Sequence, residues 1–294
     1  MGQKVSKTQI FLLCLLCCVV LFMIVYGLFL WKNDHAIYEE EAEIEEIQDE
    51  VITEPSVSPI LNSEEETAAS AEPAFEDMNL LRQIDFEKLF SINSDVYGWI
   101  YIPDTNVDFY IMQEQEVGET YYLWRDIYKK QTAYGSILTP AIPDLGYEDA
   151  HLLLFGHHLI DKSQGFSNLK KYVKEDYASS HRYLYLYYPT HSERWVLWTV
   201  VKGQADDMVY NVPFELGTDS YTELLQNLAA KGLFTVTDTP DNGHRIVVLS
   251  TCDGASGTQN RIYAVFQLDG TYDYQTENYV KEYDDYGTEK TATP

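Results

Sequence analysis

The sequence predicts a mainly β fold, a barrel or sandwich with peripheral helices, preceded by one transmembrane helix. Three observations carry that expectation. An uncharged run extends from Ile10 to Trp31. Many short apolar runs, separated by turn residues, follow one another between Met78 and Gly270. Beyond the hydrophobic N-terminus the only cysteine is Cys252, so no disulfide framework is available there and the core itself must hold the fold.

The apolar run comes first. At about 1.5 Å per residue, residues 10–31 span about 33 Å as a helix, enough for a hydrocarbon core of about 30 Å. Lys4 and Lys7 precede it, whereas Asn33 to Leu81 contains no Lys or Arg. The positive-inside rule therefore places residues 1–9 in the cytoplasm and the rest outside, on a single-pass cell-membrane protein. A cleaved signal peptide would need a shorter apolar core and a small-x-small site, and Tyr26-Gly27-Leu28-Phe29-Leu30 supplies neither. Met1-Gly2 with Ser6 fits a myristoylation pattern, but a spanning helix makes a lipid redundant. Cys14, Cys17 and Cys18 lie within the span, where packing is the plain reading.

Residues 32–77 form an acidic segment with Glu39-Glu40-Glu41, Glu64-Glu65-Glu66, Pro55, Pro59 and Pro73. It reads as an extended, self-repelling stalk, although Ile37, Ile44, Ile47 and Val51 leave a short helix or coiled coil open. The formal net charge of the chain is −27, and no nucleic-acid partner is expected. Residues 78–270 are one globular domain. Leu80 to Phe90 reads as an amphipathic helix. Strands are expected at 97–103 and 107–112, joined through Asp104-Thr105-Asn106, then at 136–139, 151–155, 183–188, 193–203, 245–251 and 262–268. Helices are expected at 166–177 and at 220–231, the second capped by Asp219-Ser220 and ending before Gly232. Residues 271–294 form a Tyr-, Asp- and Glu-rich tail without apolar periodicity, expected to be mobile.

Three residues at predicted strand edges carry chemistry. Cys252 closes the apolar run Ile246 to Thr251; Gly156-His157-His158 ends the run His151 to Phe155; Arg261 opens the run Ile262 to Phe266. Together they offer a nucleophile, a proton carrier and an anion stabiliser. Each alone has a plain reading: a buried thiol, a structural histidine, a rim ion pair. A zinc site from His157, His158 and Cys252 lacks paired-ligand spacing such as C-x-x-C. His158 remains an alternative imidazole to His157, and Asp253 is a candidate to orient the catalytic imidazole.

The combination resembles the sortases, membrane-anchored cysteine transpeptidases of Gram-positive bacteria, and class B most closely. The resemblance covers Met78 to about Leu268. Val248-Leu249-Ser250-Thr251-Cys252 looks like the family's T-L-x-T-C with Val248 in place of the first Thr, and Leu154-Phe155-Gly156-His157-His158 is similar to the segment bearing the catalytic histidine. Arg261 occupies the family's arginine position; Gly98-Trp99-Ile100, Tyr121-Tyr122-Leu123 and the helix from Ser220 to Lys231 also look like class B.

The resemblance implies a closed, mostly antiparallel barrel of seven or eight strands, with His157, Cys252 and Arg261 catalytic and no cofactor or metal. It implies a sorting-signal peptide of surface proteins as acyl donor, of the N-P-x-T or S/P-P-x-T kind. The acceptor would be a peptidoglycan-precursor amine or a pilin lysine. Tyr121, Tyr210, Ser250, Thr251 and Asp253 are the expected substrate-binding residues. Pilin-assembling members commonly carry an Asp-Pro lid, and this chain has no Asp-Pro dipeptide, which favours wall anchoring. A non-catalytic binding module on the same barrel and a hydrolytic cysteine peptidase are the alternatives.

The chemistry also follows from the residues alone. A free thiol has a pKa of about 8.5 and needs a neighbouring cation or base. Opposite charges about 4 Å apart gain about 4 kcal/mol at an effective dielectric near 20, so His157 can stabilise a thiolate, protonate a leaving amine and leave a thioester for an incoming amine to resolve.

Overall fold

The computed structural model describes residues 7–55, 77–113, 120–132, 135–140, 149–158, 165–254, 258–284 and 288–289, without side chains for 7–14, 33–37, 40 and 283 onward. The expectations for Met1 to Ser6, for Pro59, Glu64-Glu65-Glu66 and Pro73, and for the last residues of the tail lie outside them. The chain divides into two units, residues 1–50 and 51–294.

The first unit is a single helix, α1 (Lys7–Val51), whose stretch Leu15–Lys32 has a mean hydropathy of 2.3 and is long and apolar enough to cross a membrane. The helix runs past the apolar span, where the sequence predicts an extended stalk. Glu, Ala and Gln are good helix formers, and a helix already nucleated by the span needs only propagation, which outweighs repulsion among the glutamates.

In the second unit, β1 (Ile52–Thr53) pairs with β2 (Gln83–Ile84), so the end of the acidic segment joins the globular domain. Arg82 reinforces the junction through ion pairs to Glu54 at 2.9 Å and Asp108 at 2.7 Å. The helix expected over 80–90 is broken. Met78–Leu81 is a 3-10 turn, and α2 (Phe86–Ile92) begins only after Asp85, whose side chain accepts from the Lys88 amide at 2.9 Å.

The barrel follows: β3 (Val96–Tyr101), β4 (Asp108–Met112), β5 (Ile137–Leu138), β6 (His151–Phe155), β7 (Tyr183–Tyr187), β8 (His191–Gln204), β9 (Gly232–Thr235), β10 (Ile246–Cys252), β11 (Asn260–Asp273) and β12 (Asn278–Lys281). Around the ring the order is β11-β10-β6-β5-β4-β3-β7-β8, and pairing of β8 with β11 closes eight strands. β9 and β12 extend the sheet. The closed mainly β barrel expected from the sequence is therefore present, and closure leaves no free edge within the ring.

The single helix expected over 166–177 is instead a 3-10 turn, Ser167–Val173, and α3 (Glu175–Ser180), separated by Lys174 in an extended conformation. α4 (Asp219–Lys231) is capped one residue earlier than expected, by Thr218, whose hydroxyl accepts from the Tyr221 amide at 3.3 Å. It lays Tyr221, Leu224, Leu225 and Leu228 on a cluster with Val201 of β8, Ile246 and Val248 of β10, and Tyr263 and Val265 of β11. Each such aliphatic side chain contributes about 1.5–3 kcal/mol on burial. The tail is not wholly loose. Residues 271–273 continue β11, β12 pairs with them, and β13 (Tyr283–Asp284) pairs with β14 (Thr288–Glu289). Backbone pairing needs no apolar periodicity, which is why the composition of this segment did not announce it.

Candidate active site

β6 and β10 are parallel neighbours, with Leu154 opposite Leu249 and Phe155 opposite Ser250. Both therefore end at the same rim of the barrel. β11 is antiparallel to β10 and starts at that rim, with Arg261 opposite Cys252. Directly opposed residues of an antiparallel pair share a face, and so do residues two apart on a strand. Arg261, Cys252, Ser250 and Tyr263 consequently share the face that α4 covers further down. The strand pairing alone brings the thiol and the guanidinium together.

His157 lies beyond β6 on a segment held by its neighbours. The Gly156 amide donates to the Ser250 carbonyl at 3.2 Å, the Thr251 hydroxyl to the Gly156 carbonyl at 2.7 Å, and the Phe166 amide to the His157 carbonyl at 3.1 Å. Gly156 sits against the Phe166 ring, where a Cβ would collide.

One pocket at this rim is lined by Thr120, Leu123, Leu138, Phe155, Gly156, His157, Ala205, Tyr210, Ser250, Thr251, Cys252 and Arg261. It gathers His157, Cys252 and Arg261, with Tyr210, Ser250 and Thr251, from the residues singled out in the sequence. Tyr121 and Asp253 lie outside that lining. Tyr121 stands beneath the Arg125 guanidinium, 4.2 Å from ring centroid to Cζ. The Asp253 amide donates to the Asn260 carbonyl at 2.9 Å, and its charge acts on His158. His158 is not among the lining residues either; burial first, then the nearby Lys170 charge, lowers its pKa.

The surroundings of the lining residues differ. Burial lowers the His157 pKa, and a hydrogen bond from Nε2 to the Leu123 carbonyl, 2.8 Å, opposes the shift. His157 is therefore neutral at pH 7 in the resting site. Arg261 Nη1 donates to the carbonyls of Thr258 at 2.5 Å and Asn260 at 3.0 Å, and its guanidinium also acts on the Tyr210 hydroxyl of the pocket wall. Tyr210 closes the wall: its ring stacks on Phe155 at 5.7 Å and its hydroxyl shares a hydrogen bond of 2.7 Å with Ser250. Burial raises the Tyr210 pKa, so the phenol stays protonated.

Thr120, Leu123, Leu138 and Ala205 were not legible in the sequence as pocket residues, because each reaches the rim from a distant segment. The same is true of Trp124, whose ring packs 4.7 Å from the His157 imidazole.

No family model matches the chain. It is 25% identical over 169 residues to Sortase B of Listeria monocytogenes, covering 58% of this chain and 67% of that protein. It is 26% identical over 184 residues to Sortase B of Staphylococcus aureus, covering 62% and 74%. Among solved structures, sortase B from Bacillus anthracis in complex with AAEK1 aligns with a TM-score of 0.60 at 25% identity, over 79% of this chain and 96% of that one. A Staphylococcus aureus sortase B–substrate complex aligns with a TM-score of 0.56 at 25% identity, over 62% and 83%. A sortase B complexed with triglycine aligns equally well, with a TM-score of 0.56 at 25% identity over 62% and 84%. In sequence and in fold together, this chain resembles the class B sortases.

Proposed function

We propose that this protein is a membrane-anchored cysteine transpeptidase that cleaves a C-terminal sorting-signal peptide and transfers the acyl group to a cell-wall amine. The observation that carries the reading is the shared pocket of Cys252, His157 and Arg261. Neutral His157 accepts the thiol proton as Cys252 Sγ attacks the scissile carbonyl carbon. Arg261 stabilises the oxyanion of the tetrahedral intermediate or holds the substrate backbone with its fixed fork of donors. His157 then returns the proton to the leaving amine, the C–N bond breaks and a thioester remains on Cys252. An amine such as a peptidoglycan precursor attacks that thioester, forms a new amide and regenerates the thiol.

α1 is the proposed anchor. Lys4 and Lys7 before its apolar stretch, and the absence of Lys and Arg from residues 33–81, support a cytoplasmic N-terminus and an extracellular barrel. Tyr210, Ser250 and Thr251 are proposed to contact the donor peptide from the pocket wall, and Tyr121 and Asp253 to contact it from beyond the lining.

The test uses the detergent-solubilised full chain with a library of sorting-like peptides, with and without triglycine. A transferred product that forms only with the amine, and disappears in Cys252→Ala while the barrel stays folded, is the expected result. Cleavage at equal rate without amine would make the protein a hydrolase. Binding without any covalent adduct on Cys252 would make it a binding module.

A further inference from the structure

A histidine on a coil beyond its strand has several rotamers and two neutral tautomers, so something must select among them if it is to move a proton in one direction. In this molecule one short turn contacts His157 twice. The Leu123 carbonyl lies 2.8 Å from Nε2, and the adjacent Trp124 ring packs 4.7 Å away at 50°. A carbonyl only accepts, so Nε2 must carry the proton and Nδ1 the lone pair.

The turn, Tyr121–Trp124, is itself fixed. Tyr122 is buried, its hydroxyl donating to Asp95 at 2.6 Å and accepting from Asn93 at 2.7 Å. The Ser136 amide donates to the Tyr122 carbonyl at 2.9 Å, and the Ser136 hydroxyl to the Arg125 carbonyl at 2.8 Å. Gly135, with φ of +59°, backs directly onto the turn, and a Cβ there would land on the Leu123 carbonyl oxygen. Core packing explains Tyr122. It does not explain Trp124, which leaves 45% of its surface exposed beside the imidazole.

We propose that the turn Tyr121–Trp124 is the positioning element for His157: the Leu123 carbonyl selects the Nε2–H tautomer, the Trp124 ring holds the imidazole plane, and Gly135 keeps the space behind the carbonyl. Nδ1 is then the nitrogen that exchanges a proton. This rests on the reading of His157 as the acid–base residue, but its main measurement does not require turnover.

The experiment is nitrogen-15 NMR of histidine side chains in the full chain in detergent, with His157 assigned by its loss in His157→Ala. Wild type should show neutral His157 as the Nε2–H tautomer. Gly135→Ala should give a tautomer mixture and lower kcat by about 10²-fold, the scale of an approximately 1 Å misplacement, with KM little changed. Trp124→Ala should lower kcat about tenfold or more, part of the roughly 10²–10⁴-fold that a positioned acid–base group supplies, and Trp124→Phe should restore most of it. An Nδ1–H tautomer in wild type, or unchanged tautomer and kcat in both Gly135→Ala and Trp124→Ala, overturns the proposal. If Gly135→Ala does not fold, the Trp124 pair decides. If the wild-type protein is inactive on every peptide yet shows the expected tautomer shifts, the functional reading fails and the positioning stands.

Discussion

The two ends of β6 carry the same residue type in opposite circumstances. His151 opens the strand, is 1% exposed, packs edge-on against Phe214 at 5.5 Å, and has no hydrogen-bond partner for either ring nitrogen among the described residues. Burial pushes its pKa down to about 3. His157 lies just past the other end, borders a pocket and has its Nε2 on a carbonyl. Around His151 the polar groups are spent on one another. Arg245 meets Glu193 at 2.7 Å, and the Tyr221 hydroxyl donates to the carbonyls of Ala150 and His244 at 3.0 and 2.7 Å. Arg245, Glu193 and the Tyr221 hydroxyl are thus engaged within the protein, whereas at the other end His157, Cys252 and Arg261 line one cavity.

The largest test of that contrast is His157→Ala. Activity should fall by about 10²–10⁴-fold in the transfer assay with little change in melting temperature, while His158→Ala should lose far less. Equal losses from both would erase the distinction between the pocket-lining imidazole and its neighbour.

Next is Arg261→Ala, which should slow acylation by the equivalent of about 2.7–4 kcal/mol, the scale of one oxyanion donor. Alkylation of Cys252 by a methanethiosulfonate reagent should stay near wild type, because the proposed mechanism assigns the thiol proton to His157. Arg261→Lys keeps the charge without the fork and should recover only part of the rate. Alkylation slowed as much as cleavage would mean that the arginine activates the nucleophile.

The smallest effect on activity is expected at the His151 end. His151 has a folded-state pKa below its unfolded value of about 6.5, so the folded protein binds fewer protons and stability is lost as pH falls from about 6.5 toward about 3. The slope is about 1.4 kcal/mol per pH unit for one differential proton. His151→Leu should flatten that acid loss in denaturant titrations at pH 7 and pH 5 and leave transfer activity at pH 7 unchanged. His157 and His158, also lowered, would retain a residual slope. An unaltered slope in the variant would place the acid sensitivity elsewhere.

Strand-borne parts of the site were easier to read than coil-borne parts. Cys252 and Arg261 stand out because continuous apolar runs mark β10 and β11, and the short link between them makes antiparallel pairing the natural outcome. His157 stands out only as a histidine after an apolar run, in a segment similar to the family's; His158 stayed open as an alternative imidazole, and of the two only His157 lines the pocket. Helix ends were misplaced where a single cap decided them, as at Thr218 and Asp85. The continuation of α1 beyond the apolar span was missed because propagation depends on the helix before it, not on the local charge.

By itself the sequence determined the apolar span, the apolar strand runs of the barrel, and the candidate chemistry that Cys252, His157 and Arg261 offer, since these depend on residue type and near-neighbour spacing. Tertiary structure alone decided that β6 and β10 lie parallel with their ends at one rim, that β8 closes on β11, and that the Leu123 carbonyl and the Trp124 ring reach His157 from a segment distant in sequence. The physical reason is range. Local propensity and periodicity act over a few residues, whereas the partners of a buried hydrogen bond and the walls of a pocket are chosen by how the closed barrel packs.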